Sequence, residues 1–166
     1  MRLGLHGQVR RRWTVRGHRL RQRVQVVYRW RYLALAITPG GVLRWAWTDR
    51  VRQDQIVGLV EGWRDDGVAG IVWDNAPGHT ARRVRALAVP LVRLPPYAPE
   101  LNPAERIFQE IRRRVEGFTW ADLETKLAAV EAFLSELADD PPRLQRLVGW
   151  DWLTTALDRL PTFLRA

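Results

Sequence analysis

The strongest constraint on the fold lies in residues 70–94. Gly70-Ile71-Val72-Trp73 is a short apolar run, residues 80–88 behind it have helical character, and Val89-Pro90-Leu91-Val92-Arg93-Leu94 is apolar again. Strand, helix and strand in this order make a right-handed crossover, which lays the two strands parallel in one sheet. Between the first strand and the helix stands Trp73-Asp74-Asn75-Ala76-Pro77-Gly78-His79-Thr80. A carboxylate at the C-terminal end of a buried strand, followed by a Pro-Gly turn and a helix, is where open α/β sheets place their chemistry. An isolated Asp-Asn is ordinarily a turn former, so Asp74 needs a companion before it counts as a site.

The companion is Pro95-Pro96-Tyr97-Ala98-Pro99-Glu100-Leu101-Asn102-Pro103-Ala104-Glu105. It also follows a short apolar strand and sets a carboxylate, Glu105, at the start of a helix. Pro95, Pro96, Pro99 and Pro103 stiffen the path. Asn102 is placed as the helix N-cap and Pro103 as the first helical residue.

The strings DNAPGHT and LPPYAPELNPAERIFQEIRR together resemble the motifs of the DDE transposases of the mariner-type superfamily, in particular the bacterial insertion-sequence branch called the six-thirty family. Milder similarity in RLGLHGQVRRRW and YRWRYLALAIT extends the resemblance over residues 1–117. The resemblance implies a ribonuclease H-like α/β fold, a mixed sheet flanked by helices. In it three carboxylates hold two divalent metal ions, Mg2+ or Mn2+, that cut and join DNA. Asp74 would be the second carboxylate and Glu105 the third, 31 positions later. Two ions about 4 Å apart would clamp the attacking and leaving oxygens of an in-line phosphoryl displacement, and magnesium suits such oxygen ligands. The rigid loop is expected to hold Glu105 opposite Asp74 across a shallow acidic pocket. Asn75, His79, Asn102 and Pro103 support the motif; His79 either meets metal or substrate or hydrogen-bonds its own loop. The implied partners are DNA, as element ends and target duplex, and a second copy of the chain, since family members act as dimers on paired ends.

In that family the first carboxylate ends the central first strand, in an Asp-Glu pair just ahead of the segment matched by Met1-Arg2-Leu3-Gly4-Leu5-His6-Gly7. Residues 1–48 contain no acid of any kind. The expectation is a sheet lacking its first central strand and a catalytically incomplete site, from a truncated gene copy or a start codon assigned too far downstream. Asp49 follows a different strand and is a poor stand-in. Two other readings stay open: a non-catalytic nucleic-acid-binding remnant, and a ribonuclease H-like nuclease or resolvase acting on RNA or branched DNA.

Charge separates along the chain. The formal net charge is +9, yet residues 1–48 carry eleven Arg and the remainder is net −2. Arg10, Arg11, Arg12 and Arg16 lead the cluster, followed by Arg19, Arg21 and Arg23. A basic face of this kind favours nucleic acid through phosphate contact and counterion release. Lys126 is the only Lys; a bias toward Arg codons explains Arg over Lys but not the absence of acids. Arg112 and Arg113, with Arg106 and Arg114, make the helix after Glu105 a second candidate for DNA-backbone contact. Glu110 on another face of that helix is placed to pair with Arg113 or Arg114. The absence of Cys excludes a disulfide framework or thiolate zinc site and leaves a reducing compartment as the default. No run has the length of a bilayer span or the apolar core of a signal peptide, so a cytoplasmic location is expected.

The remaining pattern is structural. Residues 24–38 read as one long strand, Pro39-Gly40-Gly41 as a turn, and residues 42–47 as a returning strand. Trp30, Trp45 and Trp47 either stack on bases or pack across strands. Asp49 to Asp66 reads as an amphipathic helix with Ile56, Leu59, Val60 and Trp63 on one face. Residues 118–166 read as a C-terminal helical extension: a helix from Trp120 to Leu137, a break at Asp139-Asp140-Pro141-Pro142, and helical periodicity from Leu144 to Leu160.

Overall fold

Two antiparallel strands, β1 (Arg2–Gly4) and β2 (Trp30–Ile37), open the computed structural model, which describes residues 1–7, 9, 11, 13–38, 40–87 and 89–159. Met1 extends their pairing, exchanging both backbone hydrogen bonds with Leu33. Strand β2 starts at Trp30 rather than at residue 24; upstream of it Leu5 N–H donates to Arg29 O at 3.2 Å and Gly7 N–H to Gln25 O at 2.9 Å, while the Gln25 side chain bonds Trp120. Its Nε2 donates to Trp120 O at 2.6 Å, and its Oε1 accepts from Trp120 N–H at 2.9 Å.

Strand β3 (Leu43–Thr48) returns antiparallel to β2. Gly41 makes the turn at φ +80°, a left-handed backbone that suits glycine. Thr38 closes it, accepting at Oγ1 from Val42 N–H at 3.1 Å and donating its own N–H to Val42 O at 2.9 Å. Pro39 lies outside the described residues.

Helix α1 (Gln53–Asp65) is shorter than the expected span from Asp49 to Asp66. Asp49 is held back by an ion pair with Arg31 of β2 at 2.8 Å, and Gly67 at φ +89° ends the helix. Strands β4 (Ile71–Trp73) and β5 (Leu91–Arg93) then pair in parallel, as the strand–helix–strand order requires. The described strands thus form two sheets, an antiparallel one ordered β1-β2-β3 and a parallel one of β4 and β5. The mixture of directions belongs to the two sheets together rather than to one continuous ladder. The connection from β4 to β5 is less helical than residues 80–88 suggest. A 3₁₀ turn (Pro77–Thr80), an extended Ala81 and the single turn α2 (Arg82–Arg85) replace one continuous helix; Ala88 lies outside the described residues.

The C-terminal half is helical: α3 (Pro103–Val115), α4 (Leu123–Ala138), α5 (Pro141–Val148) and α6 (Asp151–Asp158). Asp122 caps α4, accepting from Thr125 N–H at 2.7 Å, so that helix begins after Trp120 rather than at it. Asp140 caps α5 in the same way, with Pro141 and Pro142 in its first turn. The periodicity from residue 144 belongs to two helices, since Gly149 bonds back to Gln145 O at 2.6 Å in a spot without room for a Cβ. Leu160 lies outside the described residues.

Helix α3 buries Ala104, Ile107, Phe108, Ile111 and Val115, the stripe expected of helical periodicity. They join Leu3, Leu33 and Leu43 of the sheet to Val130, Phe133, Leu134 and Leu137 of α4 and Leu144 of α5 in one core. A fully buried side chain of this size contributes about 1.5–3 kcal/mol. Ile56, Val60, Trp73, Val84 and Val89 form a second cluster, around β4. The indoles of Trp45 and Trp47 pack into the main core and donate to Glu131 at 2.8 and 2.7 Å. Trp30 lies beneath the Arg2 guanidinium, 4.7 Å from the ring centre. Trp45 and Trp47 are packing residues. No helix among the described residues is long and apolar enough to cross a membrane.

Glu131 ties α4 to β3 with two charge-assisted hydrogen bonds. Glu131→Ala is expected to lower unfolding stability by about 2–3 kcal/mol with an unchanged denaturant slope, measured by urea denaturation followed by tryptophan fluorescence. A midpoint equal to that of the wild type would remove the clamp.

Candidate active site

Asp74 stands directly after β4, its side chain half exposed. Its Oδ1 accepts from Ala76 N–H at 3.0 Å and meets His79 Nδ1 at 2.7 Å. The His79 ring lies flat on the buried indole of Trp73, with centroids 4.4 Å apart and planes 2° apart. The stack fixes the imidazole, and the imidazole fixes the carboxylate. Gly78 permits this loop to close on α1: a Cβ there would fall 2.4 Å from Ile56 Cδ1. His79 thus follows its loop-bonding alternative.

Asn75 links the two loops. Its Nδ2 donates to Leu94 O at 2.7 Å, while Leu94 N–H donates to Trp73 O at 2.8 Å. The second loop therefore leaves β5 anchored to the residues that flank Asp74. After a 3₁₀ turn (Pro99–Leu101), Asn102 Oδ1 accepts from Ala104 N–H at 3.1 Å, and Pro103 is the first residue of α3. The cap reading of Asn102 and Pro103 is the one observed. Glu105 occupies the first turn of α3 and meets Arg112 of the same helix at 3.8 Å.

Both carboxylates contribute electrostatically at the α-amino group of Met1. Burial pushes that group down, Glu105 pushes it up, Arg112 pushes it down and Asp74 pushes it up. Asp74, His79, Asn102 and Pro103 also share the wall of a cavity of about 410 Å³ between β2, α1 and β4. Glu105 is not among its lining residues, so this cavity is distinct from the acidic pocket expected between the two carboxylates. The walls are mainly apolar because Leu35, Ile56 and Leu59 line them, and the charged lining residues are Arg44, Arg50 and Asp74. Residues 32–38 and 70–74 line it almost without a gap, so the cavity meets strand edges of both sheets rather than one alternating face.

The Asp74 carboxyl sits below the usual carboxylate range. The His79 hydrogen bond is the main cause, opposed by burial and assisted by Ala76 N–H and by the charges of His79 and the Met1 amino group. A depressed carboxyl pKa stabilises the fold above the unfolded value, and that contribution is lost as pH falls through the folded value. Asp74 is consequently ionised throughout the neutral range.

The arginines divide. Arg112 meets Glu105, whereas Arg113 and Arg114 both pair with Glu110 on another side of α3. Arg11 and Arg16 are exposed; Arg10 and Arg12 lie outside the described residues. Sequence reading missed Trp73 as the platform for His79, Leu94 O as the acceptor for Asn75, and the Met1 backbone beside the site. Only Trp73 carried a signal, its adjacency to Asp74; the other two are backbone groups.

Residues 1–126 match the family described as DDE superfamily endonuclease. The chain belongs to that family. Its members use divalent metal ions. The Transposable element Tcb1 transposase of Caenorhabditis briggsae is 36% identical over 63 residues, which cover 36% of this chain and 23% of that protein. Two solved structures share the fold, the Mos1 transposase paired-end complex with left transposon end (TM-score 0.58) and the Mos1 Strand Transfer Complex (TM-score 0.60). Each is 16% identical and covers 90% of this chain and 52% of the other. The chain spans about half the length of the Mos1 chains and less than a quarter of Tcb1. The mixed α/β architecture expected from the sequence is the one this family uses.

Among the described residues no group of three or more His, Cys, Asp or Glu gathers to hold a metal ion. Asp74 and Glu105 fit a magnesium-type ion in kind, since such an ion takes one or two carboxylates and completes its shell with water and phosphate oxygens.

His79→Ala should raise the Asp74 carboxyl midpoint toward the ordinary Asp value of about 3.9, read by carbon NMR of the labelled carboxyl. A midpoint that stays where the wild type has it would show that His79 does not set the charge of Asp74.

Proposed function

We propose that this chain is the metal-dependent DNA-cleaving and strand-transfer domain of an insertion-sequence transposase. The reading is supported by two carboxylates, Asp74 at the end of β4 and Glu105 in the first turn of α3, carried on loops that Asn75 ties together in a DDE superfamily chain. The DNAPGHT and NPAER strings favour the bacterial six-thirty branch.

Asp74 and Glu105 would hold the divalent ion, Mg2+ or Mn2+. When bound, it supplies Lewis-acid activation of a phosphodiester oxygen and of the attacking hydroxyl or water. The chain's own residues prepare the site. His79 and Ala76 N–H keep Asp74 ionised and oriented, and Asn75 fixes its loop to the loop that delivers Glu105. Arg112 offsets the charge of Glu105 until a cation competes for it. The Arg-rich first third supplies positive charge for the duplex. Two copies acting on two DNA ends belong to the same reading, in keeping with the paired-end form of the Mos1 structure. A second reading, DNA binding without cleavage, is favoured by the number of metal-holding side chains among the described residues, two carboxylates and not three.

Titration calorimetry with Mn2+ decides between them. The 166-residue chain should bind the ion, and Asp74→Asn or Glu105→Gln should weaken binding at least about tenfold, as one hard ligand is removed from a small set. Because residues 1–48 contain no acid to serve as the first of the family's three carboxylates, magnesium-dependent nicking of duplex DNA by these 166 residues should be weak or absent. DNA affinity indifferent to metal and to Asp74→Ala, with no heat of Mn2+ binding, would leave only the binding reading.

The basic segment gives a separate test. Duplex DNA should bind weakly and without sequence preference. When Arg10, Arg11 and Arg12 become Ala, the slope of log affinity against log salt should fall by up to about 0.9 for each phosphate that is no longer neutralised. An unchanged slope and affinity would make this cluster ordinary solvated surface.

A further inference from the structure

Tyr97 is the single non-glycine residue with positive φ among the described residues, at +58°, and it is fully exposed at 102%. The two facts conflict with an ordinary structural role. Left-handed backbone opposes a Cβ, and the third position of a Pro-initiated turn with positive φ normally falls to Gly or Asn. A large aromatic ring left in water returns nothing from packing. Strain of this kind persists where the surroundings enforce it and concentrates at functional sites.

The surroundings here are well fixed. Pro95 and Pro96 precede Tyr97, and Pro99 follows in the 3₁₀ turn. Leu94, three residues before, is held by Asn75 Nδ2 and by Trp73 O. Leu101, Asn102 and Pro103 beyond it form part of the cavity wall that includes Asp74. Three residues of chain reach at most about 11 Å, so Tyr97 stands on the rim of the Asp74 loop with both ends of its own loop anchored. Arg93, the exposed last residue of β5, carries positive charge four residues before Tyr97 in the chain.

We propose that Tyr97 is a stacking residue, whose ring takes the face of an unpaired or terminal nucleobase of the DNA held at the Asp74–Glu105 site. The proposal rests on the DNA reading above. A base inside an intact duplex has no free face, whereas a frayed or unpaired base beside a cut does, and stacking on an aromatic side chain needs no particular base. The left-handed turn then has a purpose, because it aims the ring outward from a rigid loop before any DNA arrives.

The test uses two duplexes, one fully paired and one carrying a single unpaired fluorescent adenine analogue. The wild-type chain should bind both and quench the unpaired analogue. Tyr97→Ala should weaken binding of the unpaired-base duplex about tenfold and abolish quenching, with the paired duplex bound as before. Tyr97→Phe should keep both the affinity and the quenching. Tyr97→Gly should lose them without lowering Tm, because glycine relieves the backbone. Wild-type behaviour of Tyr97→Ala overturns the proposal alone, as does a Tyr97→Phe variant as weak as Tyr97→Ala, which would point to the hydroxyl instead. A wild-type chain that binds neither duplex overturns the DNA reading and this inference together.

Discussion

Ile107, Ile111 and Val115 lie on one stripe of α3 with almost no solvent exposure, and the sheet and the C-terminal helices both need that stripe to complete their cores. Leu3 and Leu33 reach it from β1 and β2, and Leu134, Leu137 and Leu144 reach it from α4 and α5. Because interiors pack at crystal-like density, a helix held on two sides has little freedom to slide or turn. The placement of Glu105 follows from that immobility. It sits in the first turn of the same helix, behind the Asn102 cap, where a negative charge is also favoured by the helix dipole. Arg112, Arg113 and Arg114 occupy the last turn, where the dipole favours positive charge.

Asp74 is positioned by different means. Its strand is short and half exposed, and its loop is fixed by hydrogen bonds to Ala76 N–H, Leu94 O and Ala76 O rather than by deep packing. The His79–Asp74 contact is partly open to water, so screening makes it a modest contributor to stability. Its value is geometric. A stacked imidazole with one ring nitrogen on Oδ1 leaves the carboxylate in one orientation.

The basic first third is partly neutralised by the fold. Arg29, Arg31 and Arg44 meet Glu124, Asp49 and Asp66, acids supplied by later parts of the chain. Positive charge therefore concentrates on the stretch that contains Arg11, Arg16, Arg19, Arg21 and Arg23, exposed residues with no acid near them in sequence. Arg112, Arg113 and Arg114 of α3 are instead engaged with glutamates of their own helix. One residue type has two electrostatic roles in one chain, and only the contacts separate them.

The sequence by itself determined the parallel β4–β5 pair, the β2–β3 hairpin, the apolar stripes of α3 and α4, and the positions of Asp74 and Glu105 at the ends of their elements. Each is set by local periodicity, by a cap such as Asn102-Pro103, or by the order of strand and helix, all of which are written in neighbouring residues. Tertiary structure decided which side chains meet across the chain, as with Gln25 on Trp120 and Asp49 on Arg31, because those partners lie far apart in sequence. It also decided that the cavity beside Asp74 is apolar, that Arg112 faces Glu105 while Arg113 faces Glu110, and that Tyr97 points into water. Pattern can place a residue on an element, but the group it meets depends on which distant backbone or side chain the core brings within reach.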